Sequence, residues 1–180
     1  MTVAKYIVLN KKEWSGDNFG SLRHQMFEEE SKVTGKTPEC FKTVGVDIVT
    51  EMHEERFSMD LMPGVVLHST IDCYSPEESA IIDYKTYTNE YDLQTYKQST
   101  KKSQLLTYAL QLLNLGERVD KLIYLGERWN KERTELLGYD KLVISVTMID
   151  IINNRDKLRQ NAVRLMSAIA VLENEKQILT

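Results

Sequence analysis

The segment Val65–Lys85, VVLHSTIDCYSPEESAIIDYK, decides the fold of this chain. Its pattern predicts two β-strands joined by a polar turn that contains a proline. Side chains alternate between the two faces of a strand, so Asp83 and Lys85 point to the same side of the second strand. Asp72 closes the first strand. Pairing of the two strands as a hairpin would therefore bring two carboxylates and one ammonium group together.

This arrangement would suit a Mg²⁺ site for the cleavage of phosphodiester bonds. Hard divalent cations prefer carboxylate oxygens, and a bound cation polarises phosphate and lowers the pKa of bound water. We predict that Asp72 and Asp83 are metal ligands and that Lys85 positions the water or offsets developing charge. The structural alternatives are a turn cap for Asp72 and a surface position for Asp83. For Lys85 the alternative is an ion pair with Asp83 or Glu28.

Length and composition predict a single domain that spans residues 1–180. Hydrophobic residues make up 42% of the chain, which is enough for a core, and 28% of the residues are charged. No segment approaches the roughly 18 apolar residues of a membrane helix. The N-terminal stretch MTVAKYIVLNKKEW does not have the pattern of a signal peptide. We therefore expect a cytoplasmic protein without a membrane partner.

The two cysteines, Cys40 and Cys73, are not part of a CxxC pair. The sequence thus gives no support to a disulfide framework, a structural zinc site or a four-cysteine iron–sulfur cluster. We expect two reduced thiols and no iron–sulfur cluster.

Charge is distributed unevenly along the chain. The net charge of −4 argues against a coat of non-specific phosphate contacts. Residues 28–60 hold nine acids and four bases, whereas residues 97–133 hold eight bases and four acids. A basic region beside an acidic, metal-binding one would suit a nucleic-acid enzyme. Scattered charge that only serves solvation explains the counts equally well.

Hydrophobic periodicity and breaker residues predict a helix, three strands, a helix, two strands and a helix. This order is typical of a mixed sheet flanked by helices, an α/β or α+β fold. The long last helix has an apolar stripe that packs on the sheet or pairs with another subunit. The predicted elements begin with a short strand at 4–9 and a helix that ends near Val33. Alternating segments at 43–50 and 56–61, separated by a charged stretch, form one long or bulged strand or two short ones, and strands at 65–73 and 80–87 follow. The remaining elements are a loop over the site at 88–98, a helix at 99–115, strands at 119–125 and 141–148 on either side of a charged connection at 126–138, and a helix at 150–179.

Four motifs resemble the PD-(D/E)XK nuclease superfamily. Asp72 is similar to the first of its two central motifs. About ten residues later, Ile82-Asp83-Tyr84-Lys85-Thr86 is similar to the second, in the hDyKT form of the RecB-type branch. Gly20-x-x-x-His24 with Glu28 is similar to the upstream helix motif of that branch, and Gln104-Leu-Leu-Thr-Tyr108 to its Q-x-x-x-Y motif. The motifs occur in the expected order. The chain departs from the branch in lacking the usual proline or GxxD before Asp72, the iron–sulfur cysteines and helicase motifs.

The resemblance implies a restriction-endonuclease-like mixed sheet and a site for Mg²⁺ or Mn²⁺. It implies that His24 and the backbone carbonyl of Tyr84 join Asp72 and Asp83 as metal ligands. Glu28 would bind the metal directly, bind it through water, or be solvated. A histidine ligand hints that Mn²⁺ is accepted, and a helix-surface histidine is the equal alternative.

The same resemblance implies contacts to DNA from the helix at 99–115. Gln104 and Tyr108 would contact the DNA backbone or brace Lys85, and the alternative is the polar edge of an amphipathic helix. Lys101 and Lys102 at the start of that helix would hold phosphates, and a solvated helix end is equally good. We expect Glu54 and Glu55 to be solvated, and His53 and His68 to be incidental.

The function implied is a metal-dependent exonuclease of the small phage or virus type, in recombination, repair or phage DNA processing. It would hydrolyse phosphodiester bonds at the ends of single- or double-stranded DNA. Two alternatives stay open: a structure-selective endonuclease, and a non-catalytic nucleic-acid-binding module that keeps the fold. A homo-oligomer and a helicase or recombinase partner are also left open. Polarity, strand preference and the choice between DNA and RNA do not follow from these residues.

Overall fold

The computed structural model describes residues 19–88, 93–98 and 100–178, and the strand predicted at 4–9 lies outside them. The order of elements is the predicted one: a helix, three strands, a helix, two strands and a helix. Two 3₁₀ helices lie at Glu39–Val44 and Leu93–Gln98. The main elements are α1 (Phe19–Thr34), β1 (Met52–Met62), β2 (Val65–Ser75), β3 (Ala80–Thr88), α2 (Thr100–Asn114), β4 (Lys121–Trp129), β5 (Leu136–Ser145) and α3 (Met148–Ile178).

The five strands form one mixed sheet in the order β1-β2-β3-β4-β5. Consecutive strands pair antiparallel except β3 and β4, which are parallel. Parallel pairing requires a long crossover connection, and α2 lies in the connection between β3 and β4. The predicted mixed sheet with flanking helices is therefore confirmed.

Each face of the sheet carries its own apolar cluster. On one face, Ile81, Leu122 and Tyr124 pack with the apolar residues of α2, including Leu105 and Leu112. On the other face, Phe27 of α1, Phe41 of the first 3₁₀ helix and Val46 cover the strands. The strand residues in this cluster are Cys73, Ala80, Ile82, Tyr84, Ile123 and Leu125. Apolar clusters therefore cover both faces of the sheet, and β3 is buried on both sides.

Two sequence predictions are wrong in part. The segment 43–50 is not a strand, because Glu39–Val44 forms a 3₁₀ helix that ends at Gly45 in the left-handed conformation (φ 70°). The charged connection predicted at 126–138 is shorter, since β4 continues to Trp129 and β5 already begins at Leu136. The reason is Glu127, whose charge suggested a loop but which is fully buried in an ion pair with Arg23 of α1.

β2 and β3 stay together over a short length only. Cys73–Ser75 pair with Ala80–Ile82, and no further pairing joins these two described strands. The earlier part of β2 continues alongside β1 alone, and the later part of β3 continues alongside β4 alone. We call the opening between Asp72 and Asp83, the first residues beyond the paired segment, the fork.

α3 begins against α2 and then leaves the core. Asn154, which is 4% exposed, bonds to Ser103 and Thr107 of α2. Leu158 packs with Leu61 and Leu67. Apolar side chains further along, including Leu165 and Ile169, are exposed. None of the described helices is long and apolar enough to cross a bilayer.

Candidate metal centre

Asp72 lies at the edge of the fork, where its side chain takes the place of a backbone acceptor in the β2–β3 ladder. Its carboxylate accepts a hydrogen bond from the backbone N–H of Tyr84 (Oδ2 to N, 3.0 Å). A side chain thus satisfies a donor that a continuous β2–β3 ladder would have used, which agrees with the rule that buried backbone groups find partners. The separation of β2 and β3 therefore leaves a backbone N–H that donates to Asp72, which fixes the position of this carboxylate at the fork.

α1 brings His24 to the same point. His24 and Glu28 are four residues apart and share a helix face, and His24 Nε2 is 2.8 Å from Glu28 Oε1. The same nitrogen is 3.4 Å from Asp72 Oδ1. On the other side of the ring, Nδ1–H donates to the Tyr84 carbonyl at 3.2 Å. The hydrogen bond at Nδ1 holds Nε2 toward the two carboxylates.

The three side chains His24, Glu28 and Asp72 form a compact donor set. One potential ligand atom from each lies within 4.8 Å of the other two. Burial lowers the pKa of His24, but the hydrogen bonds to Asp72 and Glu28 outweigh it and raise this pKa to about 10. Burial also raises the pKa of Glu28, while His24 works against that rise. The two carboxylates therefore attract positive charge at one point, and an imidazole nitrogen with carboxylate oxygens fits a divalent cation such as Mn²⁺ or Mg²⁺.

Asp83 and Lys85 form an ion pair beside this set, as the alternative for Lys85 anticipated. Lys85 Nζ is 2.5 Å from Asp83 Oδ2, and Asp83 is only 2% exposed. Burial raises the pKa of Asp83 to about 6, against the lowering effect of the Lys85 charge. Burial lowers the pKa of Lys85, but Asp83 and then Asp72 raise it above its ordinary value, so the ammonium stays charged.

His24 and Lys85 open into one cleft of about 450 Å³. Gly20, His24 and Glu28 line it on the side of α1, and Tyr84, Lys85 and Thr86 line it on the side of β3. The cleft therefore exposes two side chains of the donor set, His24 and Glu28, together with Lys85.

Glu54 lies on the rim of the cleft, and Glu55 is exposed. Glu54 is exposed as expected, yet it forms an ion pair with Lys32 (2.5 Å) and has a positive φ of 49°. Hydrogen bonds from Glu28 and Lys32 lower the pKa of Glu54. The sequence predicted a solvated Glu54, but it did not predict the ion pair with Lys32 or the place of Glu54 at the cleft.

The residues predicted to contact DNA lie on α2, against the face that carries Asp83 and Lys85. Gln104 Nε2 donates to the Tyr108 hydroxyl at 2.5 Å, and Tyr108 is 7% exposed. Lys102 lies 3.4 Å from Asp150 of α3. The side chain of Lys101 lies outside the described residues.

The two remaining histidines have local partners. His53 Nδ1 is 3.3 Å from the Cys73 sulfur, and His68 Nδ1 is 2.8 Å from the Ser58 hydroxyl. Neither belongs to the donor set found among the described residues.

No protein-family model matches the sequence, and no curated protein matches it either. Solved structures do match. A phage-related exonuclease from Haemophilus somnus 129PT has 16% sequence identity and a TM-score of 0.52, over 92% of this chain and 80% of that one. An alkaline exonuclease from Laribacter hongkongensis has 12% identity and a TM-score of 0.50, over 92% of this chain and 78% of that one. Its complex with dAMP has 13% identity and a TM-score of 0.51 over the same shares. This chain therefore has the fold of these exonucleases, as its motifs predicted.

Proposed function

We propose that this chain is a metal-dependent deoxyribonuclease that acts as an exonuclease at DNA ends. The observation that carries the proposal is the convergence of His24, Glu28 and Asp72 at the fork, with the Lys85 ammonium opening into the same cleft. This is the layout needed to hold a divalent cation and a phosphate side by side. The shared fold with two exonucleases supports the class of reaction.

His24, Glu28 and Asp72 would hold the metal ion. A bound Mg²⁺ or Mn²⁺ supplies Lewis-acid polarisation of the phosphate and a water of lowered pKa. Asp83, buried next to this set, would complete it and fix Lys85. The Tyr84 carbonyl orients His24 through Nδ1–H, the kind of support that metal-binding histidines have. Its role as a ligand stays a prediction.

Lys85 would act directly on the reacting groups. Its pKa lies above its ordinary value, so it is an ammonium throughout the neutral range. In that state it can donate hydrogen bonds to an attacking water or to a phosphate oxygen as negative charge develops. Asp83 holds Nζ at 2.5 Å and thereby keeps the long lysine side chain from exploring other rotamers.

DNA ends are the proposed substrate. The dAMP complex of the alkaline exonuclease supports a nucleotide-containing substrate for this fold. Gln104, Tyr108 and Lys102 lie on the helix that packs against the Asp83 face, and they would contact a DNA strand bound near Lys85. Processing of phage DNA, recombination and repair are pathways that use such an activity.

The test uses end-labelled linear single- and double-stranded DNA, covalently closed circular DNA and RNA, each with Mg²⁺, Mn²⁺ or a chelator. We expect the linear DNA to be degraded progressively with Mn²⁺ or Mg²⁺, and the circle to be spared. Cutting of the circle would replace the exonuclease with an endonuclease. The absence of degradation of every substrate would favour a binding module, and retained DNA binding would confirm it.

A further inference from the structure

Tyr74 and Tyr124 are two buried tyrosines on the same face of the sheet, and each is 1% exposed. The Tyr74 hydroxyl donates to the backbone carbonyl of Arg118 at 2.7 Å. The Tyr124 hydroxyl is also buried, but it has no hydrogen-bond partner within the part of the chain that the structure describes. The two residues are therefore equally buried core tyrosines that differ in whether the hydroxyl has a hydrogen-bond partner.

A buried hydroxyl without a partner needs an explanation. Its removal from water is unfavourable unless a hydrogen bond replaces the lost ones. Phenylalanine would fill the same space without that penalty, so the core itself does not require the oxygen of Tyr124. Exceptions of this kind point to a ligand, a water or a catalytic role at the site.

The sheet register places Tyr124 beside the fork. Asp83 and Tyr124 are partners in the parallel ladder of β3 and β4, so their side chains project from the same face. The Tyr96 ring packs edge-on against the Tyr124 ring, with ring centroids 4.9 Å apart. Burial, followed by the charge of Asp83, raises the pKa of Tyr124 well above its ordinary value, so its hydroxyl keeps its proton and remains a donor.

Asp83 has acceptor capacity to spare. A carboxylate has two oxygens with about four acceptor positions. Asp83 Oδ2 lies 2.5 Å from Lys85 Nζ in the ion pair, but it has no hydrogen bond of good geometry among the described residues. The carboxylate is buried, so water competes little for the rest.

We propose that Tyr124 is a positioning residue whose hydroxyl donates a hydrogen bond to the Asp83 carboxylate, directly or through one water, when a divalent cation is bound. The bond fixes the orientation in which Asp83 faces the metal-binding set and Lys85. This inference rests on the proposed function, since it concerns the same site.

The experiment compares Tyr124→Phe with Tyr74→Phe in the full chain. Melting temperature, Mn²⁺ affinity by isothermal titration calorimetry and the rate of linear DNA degradation at saturating Mn²⁺ are measured for each. Y124F is expected to keep or raise the melting temperature, while Mn²⁺ affinity and the saturated rate fall about tenfold, a typical effect of residues that support metal ligands. Y74F is expected to lower the melting temperature and to leave Mn²⁺ affinity unchanged.

Several results would overturn the proposal. One is wild-type Mn²⁺ affinity in Y124F. Another is a loss of melting temperature in Y124F as large as in Y74F, because the hydroxyl would then have a structural partner. Absence of Mn²⁺ binding to the wild-type chain would also overturn it. If the wild type binds Mn²⁺ but degrades no DNA, the proposed function fails, while the Mn²⁺ affinities still decide the role of Tyr124.

A double variant gives the sharpest version of the test. In the background of Asp83→Ala, which removes the acceptor, the additional change Y124F is expected to leave Mn²⁺ affinity nearly unchanged, because residues that act through one another are not additive. An unreduced tenfold effect of Y124F in that background would show that Tyr124 acts independently of Asp83, contrary to the proposal.

Discussion

The two halves of β3 differ in what surrounds them. The first half, Ala80–Ile82, pairs with β2 and with β4, and its three side chains are fully buried and apolar. The second half, residues 83–88, pairs with β4 alone and carries Asp83 and Lys85. Backbone pairing takes up both edges of this half, and its apolar side chains pack into the clusters on the two faces. Where one edge is released, the free space lets charged groups meet groups from α1 and β2.

The largest expected effect comes from removing the negative charge of Asp83 from the second half of β3, residues 83–88, which we call the open half. Asp83→Asn should reduce the saturated rate of Mn²⁺-dependent DNA degradation on the order of a thousandfold, or about 4 kcal/mol of transition-state stabilisation. The reason is the loss of a buried carboxylate that holds Lys85 and faces the metal-binding set. Asp60→Asn, the same change at an exposed position of β1, is the matched control and should leave the rate unchanged. Equal rates in both variants would remove Asp83 from the active site.

Substitutions in the first half of β3, Ala80–Ile82, which we call the closed half, should change the stability of the protein and not its activity. Ile81 is fully buried in the cluster on the α2 face, and Ile81→Ala should lower the free energy of unfolding by about 3 kcal/mol through lost burial and a cavity. Urea unfolding measures the loss, and Ile81→Val, with about 1 kcal/mol, gives a graded comparison. The rate per folded molecule should stay within about twofold of wild type. A rate loss as large as that of Asp83→Asn would mean that the two halves are not separate.

The third effect tests the contribution of α1 to the open half. His24→Ala should weaken Mn²⁺ binding by about 2 kcal/mol, roughly 30-fold in affinity. His24 contributes the only nitrogen donor to the described three-residue set, and its ring nitrogens join the set to the Tyr84 carbonyl. Isothermal titration of Mn²⁺ measures the change. Gln25→Ala, one residue further along the same helix and exposed, should bind Mn²⁺ like the wild type.

The sequence predicts the local part of this site well. The Asp-x-Lys spacing on a strand and the i, i+4 spacing of His24 and Glu28 are geometric rules that hold without tertiary information. The order of helices and strands also follows from periodicity and breakers alone. These are the features in which neighbours along the chain are neighbours in space.

The long-range part could not be predicted. Glu127 is a strand residue because its charge is met by Arg23, which lies 104 positions earlier in the chain. The position of the fork depends on where two strands stop pairing, and this follows from how each strand continues alongside a different neighbour. Tyr124 looks like an ordinary core residue until the register places it opposite Asp83.

The smallest expected effect concerns Thr86, a residue of the open half whose side chain lies on the face opposite to Asp83 and Lys85. The Thr86 hydroxyl lies on the α1 face, where it is buried and has no hydrogen-bond partner among the residues that the structure describes. Thr86→Val has nearly the same shape and should raise the free energy of unfolding by up to about 1 kcal/mol, because no bond is lost. Thr37→Val is the matched control: the Thr37 hydroxyl accepts the Ile48 N–H at 3.1 Å, so this variant should lose about 1 kcal/mol.

Activity decides what the Thr86 result means. Thr86 lines the cleft but contacts none of the metal-binding side chains through its hydroxyl, so Thr86→Val should degrade linear DNA at the wild-type rate within about twofold. Tyr124→Phe is expected to share the stability gain and to lose activity, because it removes the hydrogen bond that we propose between Tyr124 and Asp83. If Thr86→Val also loses activity, the Thr86 hydroxyl takes part in the chemistry at the cleft, and its role is not limited to stability.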